Sequence, residues 1–159
     1  RAVFLRKSII RVGVENMQQL SDFEEGLNFF YAEDYANAVM SFKKAAEQGN
    51  AEAQFSLGNM YVEGHGVPQD DQQAVSWFRM AAEQGFAPAQ VNLGVMHTQG
   101  QGVEQDLVEA HKWFNIAGGA VDEDGMDLRE AVEEQMTPAE ISESMRLAKD
   151  WITAYHRRH

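Results

Sequence analysis

The sequence contains no cysteine and only three prolines among its 159 residues. The absence of cysteine excludes a disulfide framework, thiolate zinc sites and a cysteine nucleophile. No apolar run approaches the roughly 18 residues that a membrane-spanning helix needs, which indicates a soluble protein. The length suits one ordinary domain or a short repeat array.

Basic residues are scarce outside the first few positions. Residues 1–11 carry four basic side chains and no acid, whereas residues 12–156 carry all 25 acids and seven bases. The net charge is −12. A surface this acidic repels phosphate backbones, so the charge predicts no nucleic-acid partner and favours a basic or apolar protein surface.

Residues 1–12 show a basic amphipathic pattern. Wound as a helix, they place Ala2, Leu5, Ile9 and Val12 on one side. Arg6, Lys7 and Arg11 interrupt the apolar core that a secretory signal requires. The pattern leaves several roles open: a packing element, peripheral contact with a partner groove or an anionic membrane, a targeting remnant, or an internal ligand of the acidic body.

The middle of the chain repeats itself. Residues 51–86 and 87–122 align without a gap and share fifteen identities in thirty-six positions. The shared residues are mostly small, apolar or turn-forming, and they include Leu57/Leu93, Gly58/Gly94, Gly64/Gly100, Gly66/Gly102 and Asp70/Asp106. A period of this length is typical of stacked helical hairpins.

Each copy predicts two helices joined by a turn. Apolar residues at helical spacing mark the first helix, in which Gly58 is expected to be tolerated because the second helix approaches closely. Gly64 is expected at a left-handed helix end, and Gly66 to let the chain reverse. Asp70 and Asp106 are expected to cap the second helices.

A shorter copy precedes these two, and a different pattern follows them. In the shorter copy Gly26 aligns with Gly58 if the connecting loop loses four residues, and Asp34 is the expected cap. After Ala120, Thr137, Pro138 and Glu140 predict a capping box that opens a last helix. The expected apolar face of this helix is Ile141, Met145, Leu147, Ala148, Trp151 and Ile152.

The pattern A-x-x-x-L-G-x-M-Y-x-x-G-x-G-V-x-x-D-x-x-x-A-x-x-W-F-x-x-A-A-x-x-G carries a family resemblance. It is met from Ala53 to Gly85 and largely from Ala89 to Ala117. It resembles the Sel-one-like repeat (SLR), a relative of the tetratricopeptide repeat. The shorter copy looks closer to a plain tetratricopeptide repeat, and the C-terminal segment resembles that of many bacterial SLR proteins.

The resemblance implies an all-α fold, a right-handed α/α superhelix (solenoid) of helix-turn-helix repeats with a helical C-terminal cap. We expect a basic N-terminal segment at residues 1–19 and a repeat array at residues 20–120, divided into 20–50, 51–86 and 87–120. Capping helices are expected at residues 121–159, because an open-ended array needs an end whose outer side is polar.

The residues predict no catalytic site, metal or cofactor. The Gly-x-Gly turns lack the preceding strand and the Lys-Ser/Thr of a phosphate loop. His97 replaces a packing Tyr, and His111 stands where Val75 stood, so both are interpreted as packed helix residues. Residues 122–127 resemble the start of a calcium loop, and Glu133 follows Asp122 by eleven positions, but the sixth position, Asp127, should be glycine. The Glu133/Glu134 pair is expected on a solvated helix.

The related folds imply a concave surface lined by the first helix of each repeat. Its candidate partner-binding residues are Leu27, Phe30, Tyr31, Glu52, Phe55, Asn59, Val62, Glu63, Val91, Val95 and Thr98. Apolar residues beside acids suit a basic or amphipathic segment of a partner protein. The alternative is that these residues contact the ends of the same chain.

Two functions follow from this interpretation. The first is a non-catalytic interaction scaffold or adaptor that holds a partner protein or peptide segment. The alternative is a bacterial cell-envelope factor that acts at or near peptidoglycan, with hydrolase activity less favoured. The compartment stays open between bacterial cytoplasm and periplasm.

Overall fold

A computed structural model describes residues 21–118 and 123–159 of the chain, and these residues contain helices and no strand. The helices are α1 (21–31), α2 (Tyr35–Glu47), α3 (Ala51–Glu63), α4 (Asp71–Glu83), α5 (Ala87–Gln99), α6 (Leu107–Ala117), α7 (Glu123–Glu133) and α8 (Pro138–Arg158). The all-α prediction is therefore confirmed. The amphipathic pattern of residues 1–12 lies outside the described residues.

The chain divides into two compact units, Arg1–Gln69 and Asp70–His159, and each is described by itself. In the first unit, α1 packs against α2 at Gly26. A Cβ added there would lie 2.5 Å from the ring of Phe42, so only glycine admits this approach. Gly94 meets Phe114 at the same distance in the second unit. Because Gly26 and Gly94 make the same contact with a phenylalanine, the alignment of the shorter copy with a loop four residues shorter is supported.

The turn glycines and the caps lie where the sequence predicts them. Gly64 ends α3 with φ 69°, and a side chain on Gly66 would collide with the backbone carbonyl of Tyr35. The carboxylate of Asp70 accepts the amide hydrogens of Gln72 and Gln73 at the start of α4, each at 3.0 Å. These contacts satisfy amides that the helix leaves unpaired, which explains the aspartate.

A buried glutamine recurs in both units for a structural reason. The side-chain amide of Gln54 donates to the carbonyl of Ala46 at 3.0 Å, and that of Gln90 donates to Ala82 at 3.0 Å. In each case the acceptor lies in the last turn of the preceding helix, whose final carbonyls lack partners within the helix. The glutamine thus ties each first helix to the helix before it.

The last two helices pack against α6. α8 begins with the predicted capping box, in which Thr137 and Glu140 exchange hydrogen bonds. Along α8, the ring of Trp151 lies 5.8 Å from that of Trp113, and the hydroxyl of Tyr155 donates to the carbonyl of Gln84 at 3.0 Å. The contacts of Trp151 and Tyr155 hold the second half of α8 in place.

The predicted apolar face of α8 is wrong at two positions. Met145 is 56% exposed and Ile152 is 37% exposed, whereas Ser144 is fully buried. The helix turns Ser144 inward because its hydroxyl has polar partners there, as described below. The sequence prediction chose the residues of this face by their hydropathy. It therefore placed Met145 on the buried side of α8, where the structure has Ser144.

Candidate functional site

An open pocket lies between α1 and α3 in the first unit. Its volume is about 160 Å³, and it is lined by Leu27, Phe30, Tyr31, Phe42, Ser56 and Asn59. Four of these are residues that the sequence analysis proposed for partner binding. Tyr31 is 79% exposed, which is unusual for a large aromatic side chain.

Aromatic rings continue from the pocket along the surface of the same unit. The ring of Phe30 lies 6.0 Å from that of Tyr31 and 5.5 Å from that of Tyr35, in edge-to-face arrangements. Tyr35 stacks on His65 at 4.4 Å. Of these rings, Phe30 and Tyr31 line the pocket, and they contact each other edge to face.

Charge in this unit is divided between its helices. α1 and α3, which form most of the pocket, carry five acidic residues and no base, whereas the two lysines among the described residues of this unit, Lys43 and Lys44, lie on α2. Of the predicted residues outside the pocket, Glu52 and Glu63 are exposed, and Phe55 and Val62 are half-buried. The carboxylate of Glu63 contacts the Nδ1 atom of His65 at 2.9 Å.

The predicted residues of the second unit have a different environment. Val91 and Val95 pack against a core cluster of Ala110, Phe114, Val132 and Met136. This is contact within the chain, the alternative that the sequence left open. Thr98 is half-buried, and its hydroxyl donates to the carbonyl of Gly94 at 3.0 Å.

A polar cluster inside the second unit joins three helices. The Nε2 atom of His111 lies 2.7 Å from a carboxylate oxygen of Glu133, and its Nδ1 atom lies 2.5 Å from the hydroxyl of Ser144. The amide of Asn115 also lies 3.0 Å from Nδ1. An ionised carboxylate can only accept, so the ring donates through Nε2 and meets the Ser144 hydroxyl with Nδ1.

This cluster resembles a serine-histidine-carboxylate arrangement, but His111 and Ser144 are fully buried. The Ser144 hydroxyl also contacts the carbonyl of Ile141 at 2.8 Å. A hydroxyl enclosed in this way cannot reach a substrate, so the cluster joins helices. The prediction that His111 is a packed residue is right, whereas the prediction of a solvated helix is wrong for Glu133, whose carboxylate meets the core.

His97 is the second buried histidine, and it is only 4% exposed. Among the described residues, neither of its ring nitrogens has a hydrogen-bond partner. Burial lowers the pKa of His97 below its ordinary value, against the opposing influence of Glu109. The ring is therefore held in its neutral form, consistent with its interpretation as a packing residue.

Two findings bear on metals and membranes. Among the described side chains, those of residues 21–118 and 127–159, no group of three His, Asp or Glu could hold a metal ion. Asp122, the first residue of the calcium-like stretch, lies outside the described residues. None of the helices described here is both long and apolar enough to cross a bilayer.

The model of the Sel1 repeat matches residues 20–50, 51–86 and 87–118, which is more than half of the chain. The chain belongs to the Sel1 repeat family. The match includes residues 20–50, for which the sequence favoured a plain tetratricopeptide-like unit. Sel1 repeat proteins generally mediate protein–protein interactions, and the family is generally non-catalytic.

Two solved structures resemble this Sel1 repeat chain. The protein c5321, a protective antigen of uropathogenic Escherichia coli strains with an SLR fold, is 36% identical, with a TM-score of 0.80. A Sel1 repeat protein from Oxalobacter formigenes is 28% identical, with a TM-score of 0.66. The predicted fold class, a solenoid of helical repeats, is confirmed by these neighbours.

The alignments cover 86% and 81% of this chain. They cover only 30% of the E. coli protein and 55% of the Oxalobacter protein, so this chain spans less than two thirds of either relative. No curated protein matches the chain.

Proposed function

We propose that this chain is a non-catalytic adaptor that binds a segment of a partner protein on the first helices of its repeats. The observation that carries the proposal is the pocket between α1 and α3, which combines an exposed tyrosine with an apolar floor. Exposed apolar surface in a fixed, concave setting is typical of a binding site. The general role of Sel1 repeats in protein–protein interaction supports it.

Charge supports a basic or amphipathic partner segment. The two helices that form the pocket carry acids and no base, in a chain whose net charge is −12. Complementary charge accelerates encounter and excludes acidic competitors, while the pocket supplies the apolar contact. The proposal includes no nucleic acid, cofactor or metal.

The proposed surface is centred on the first unit. Leu27, Phe30, Tyr31 and Asn59 line the pocket, and Glu52, Phe55, Val62 and Glu63 belong to α3 of the same unit. In the second unit, Val91 and Val95 already support the cluster around Phe114. An aspartate at either valine would disturb the fold, so a test of binding must use the first unit.

The test compares two exposed apolar positions of the first unit. Tyr31→Asp alters the pocket, whereas Met40→Asp alters α2, where Met40 is 59% exposed. Each tagged variant is used to isolate partners from the native host, and each candidate is then purified and its affinity measured by calorimetry. We expect one purified partner that binds the wild type and Met40→Asp equally and binds Tyr31→Asp at least tenfold more weakly.

Equal affinity of every purified partner for all three proteins would refute the proposed surface. The peptidoglycan alternative gains no support from the described residues, because the one Ser-His-Glu arrangement among them is buried. Turnover of a peptidoglycan fragment by the purified wild type would contradict the non-catalytic part of the proposal.

A further inference from the structure

The pocket of the first unit has a filled counterpart in the second unit. The helices α3, α5 and α7 begin at Ala51, Ala87 and Glu123, which are equally spaced along the chain. α7 therefore stands two repeat lengths after α3, and in this register Ser56 corresponds to Leu128. In the same register Phe42 corresponds to Phe114, and Leu27 to Val95, because Gly26 and Gly94 both contact those phenylalanines. The two sites can therefore be compared side chain by side chain.

In the second unit a leucine occupies this position. Leu128 packs against the cluster that contains Phe114, and Val95 packs against the same cluster. In the first unit Ser56 stands in its place, and its short side chain donates to the carbonyl of Glu52 at 2.9 Å. The pocket lined by Leu27, Phe42 and Ser56 is the space that a leucine side chain fills two repeats later.

The size of the pocket agrees with this comparison. Its volume is about 160 Å³. A cavity of roughly 150 Å³ in a protein interior is large enough for a benzene molecule, so this pocket can hold one branched aliphatic side chain. Its floor is apolar, and Tyr31 at its edge is 79% exposed, so its hydroxyl is accessible to the backbone of a bound segment.

We infer that the pocket binds a single leucine-sized aliphatic side chain from a partner segment that carries lysine or arginine beside it. The aliphatic residue takes the position of Leu128, and the cationic residues complement the four exposed acids of α1 and α3, which are Glu24, Glu25, Glu52 and Glu63. This inference rests on the proposed function and deepens it, since it names the residue that anchors the partner.

The experiment uses a library of random 12-residue peptides displayed on phage. Selection is carried out in parallel on the wild-type chain, on Ser56→Leu and on Ser76→Leu. Ser76 is a matched control, because its hydroxyl also donates to a carbonyl four residues earlier, Gln72, and it is exposed on α4. Circular dichroism and thermal melting establish that each variant is folded.

We expect the wild type and Ser76→Leu to select peptides with one Leu, Ile or Met and at least two Lys or Arg. Ser56→Leu fills the pocket from within and should not select them. Replacing the aliphatic residue of a synthetic peptide by Ala should weaken its binding to the wild type about 30-fold, because roughly a leucine side chain's burial is lost. Asn59→Leu is a second variant that fills the same pocket.

Three outcomes would overturn the inference. Peptides that bind Ser56→Leu and Asn59→Leu as tightly as they bind the wild type would show that the pocket does not hold the anchoring residue. If the same peptides failed to bind Tyr31→Asp, the proposed function would still stand. Selection of acidic peptides would contradict the charge argument. Failure of the folded wild type to select any peptide would count against both proposals.

Discussion

The two units have the same arrangement of helix pairs, but one packing position carries a different side chain in each. In the second unit, α7 places Leu128 against the cluster around Phe114, and that position is closed. In the first unit, α3 places Ser56 at the equivalent position, and a pocket opens beside Phe42. The contrast shows how a repeat protein can open an apolar pocket through one small side chain, without a change of fold.

The largest expected effect comes from making the closed position resemble the open one. Leu128→Ser should lower the free energy of unfolding by about 2–3 kcal/mol, because it removes the packing of a half-buried leucine against the cluster around Phe114. Ser56→Leu, the reverse exchange, should not lower it. Urea unfolding followed by circular dichroism measures both, and a loss below about 1 kcal/mol for Leu128→Ser would contradict the comparison.

The buried polar cluster of the second unit should give the next largest effect. His111→Leu removes the hydrogen bonds of both ring nitrogens, and we expect a loss of about 2 kcal/mol, since Glu133 and Asn115 each lose a partner and Ser144 keeps only the carbonyl of Ile141. Glu133→Gln keeps an oxygen that can accept from Nε2 and should cost less. Chemical unfolding tests the order, and equal losses for the two variants would contradict the assigned hydrogen bonds.

Both units have a helix glycine that faces a phenylalanine ring, and replacing it by alanine should destabilise the two units by a smaller and equal amount. Gly26→Ala and Gly94→Ala each add a Cβ 2.5 Å from a phenylalanine ring. Each should cost about 1–2 kcal/mol, because overpacking outweighs the gain in helix propensity. Thermal melting of both variants measures this, and stabilisation of either one would mean that its ring is free to move away.

The smallest effect concerns pH and distinguishes a histidine of the second unit from Tyr61, its counterpart in the first. Burial lowers the pKa of His97 below the ordinary value of 6.5, so the unfolded chain binds a proton more readily than the fold. The stability that His97 contributes as a neutral ring is fully present above pH 6.5. It is lost as the pH falls from 6.5 towards the lower pKa that His97 has in the folded protein. His97→Tyr should therefore lose less melting temperature between pH 7.5 and pH 5.5 than the wild type does, and an identical loss would contradict the assignment.

Local chemistry made much of the fold predictable. The caps Asp70 and Thr137 and the turn glycine Gly64 act on amides and carbonyls only a few residues away. Their roles therefore follow from sequence spacing alone. The repeat lets the role of a residue in one copy be assigned to its equivalent in the next. Gly26 could therefore be aligned with Gly58 across a shorter loop.

Contacts between distant residues could not be predicted in the same way. His111 meets Ser144, thirty-three positions later, only because α8 presents its serine rather than Met145 to α6. The rotation of α8 depends on the packing of Trp113 against Trp151, which no local pattern specifies. The candidate site shows the same limit, since Val91 and Val95 have the composition of a binding surface but support the core.

Site-specific photo-crosslinking is the sharpest test of whether the pocket between α1 and α3 contacts a partner protein. A photoreactive phenylalanine analogue is placed at position 31, beside the pocket, or at position 40 on α2, and cells of the native host are irradiated. We expect a covalent product with a partner protein from position 31 and none of that product from position 40. The same product from both positions, or none from position 31, would contradict the assignment of this pocket as the binding site.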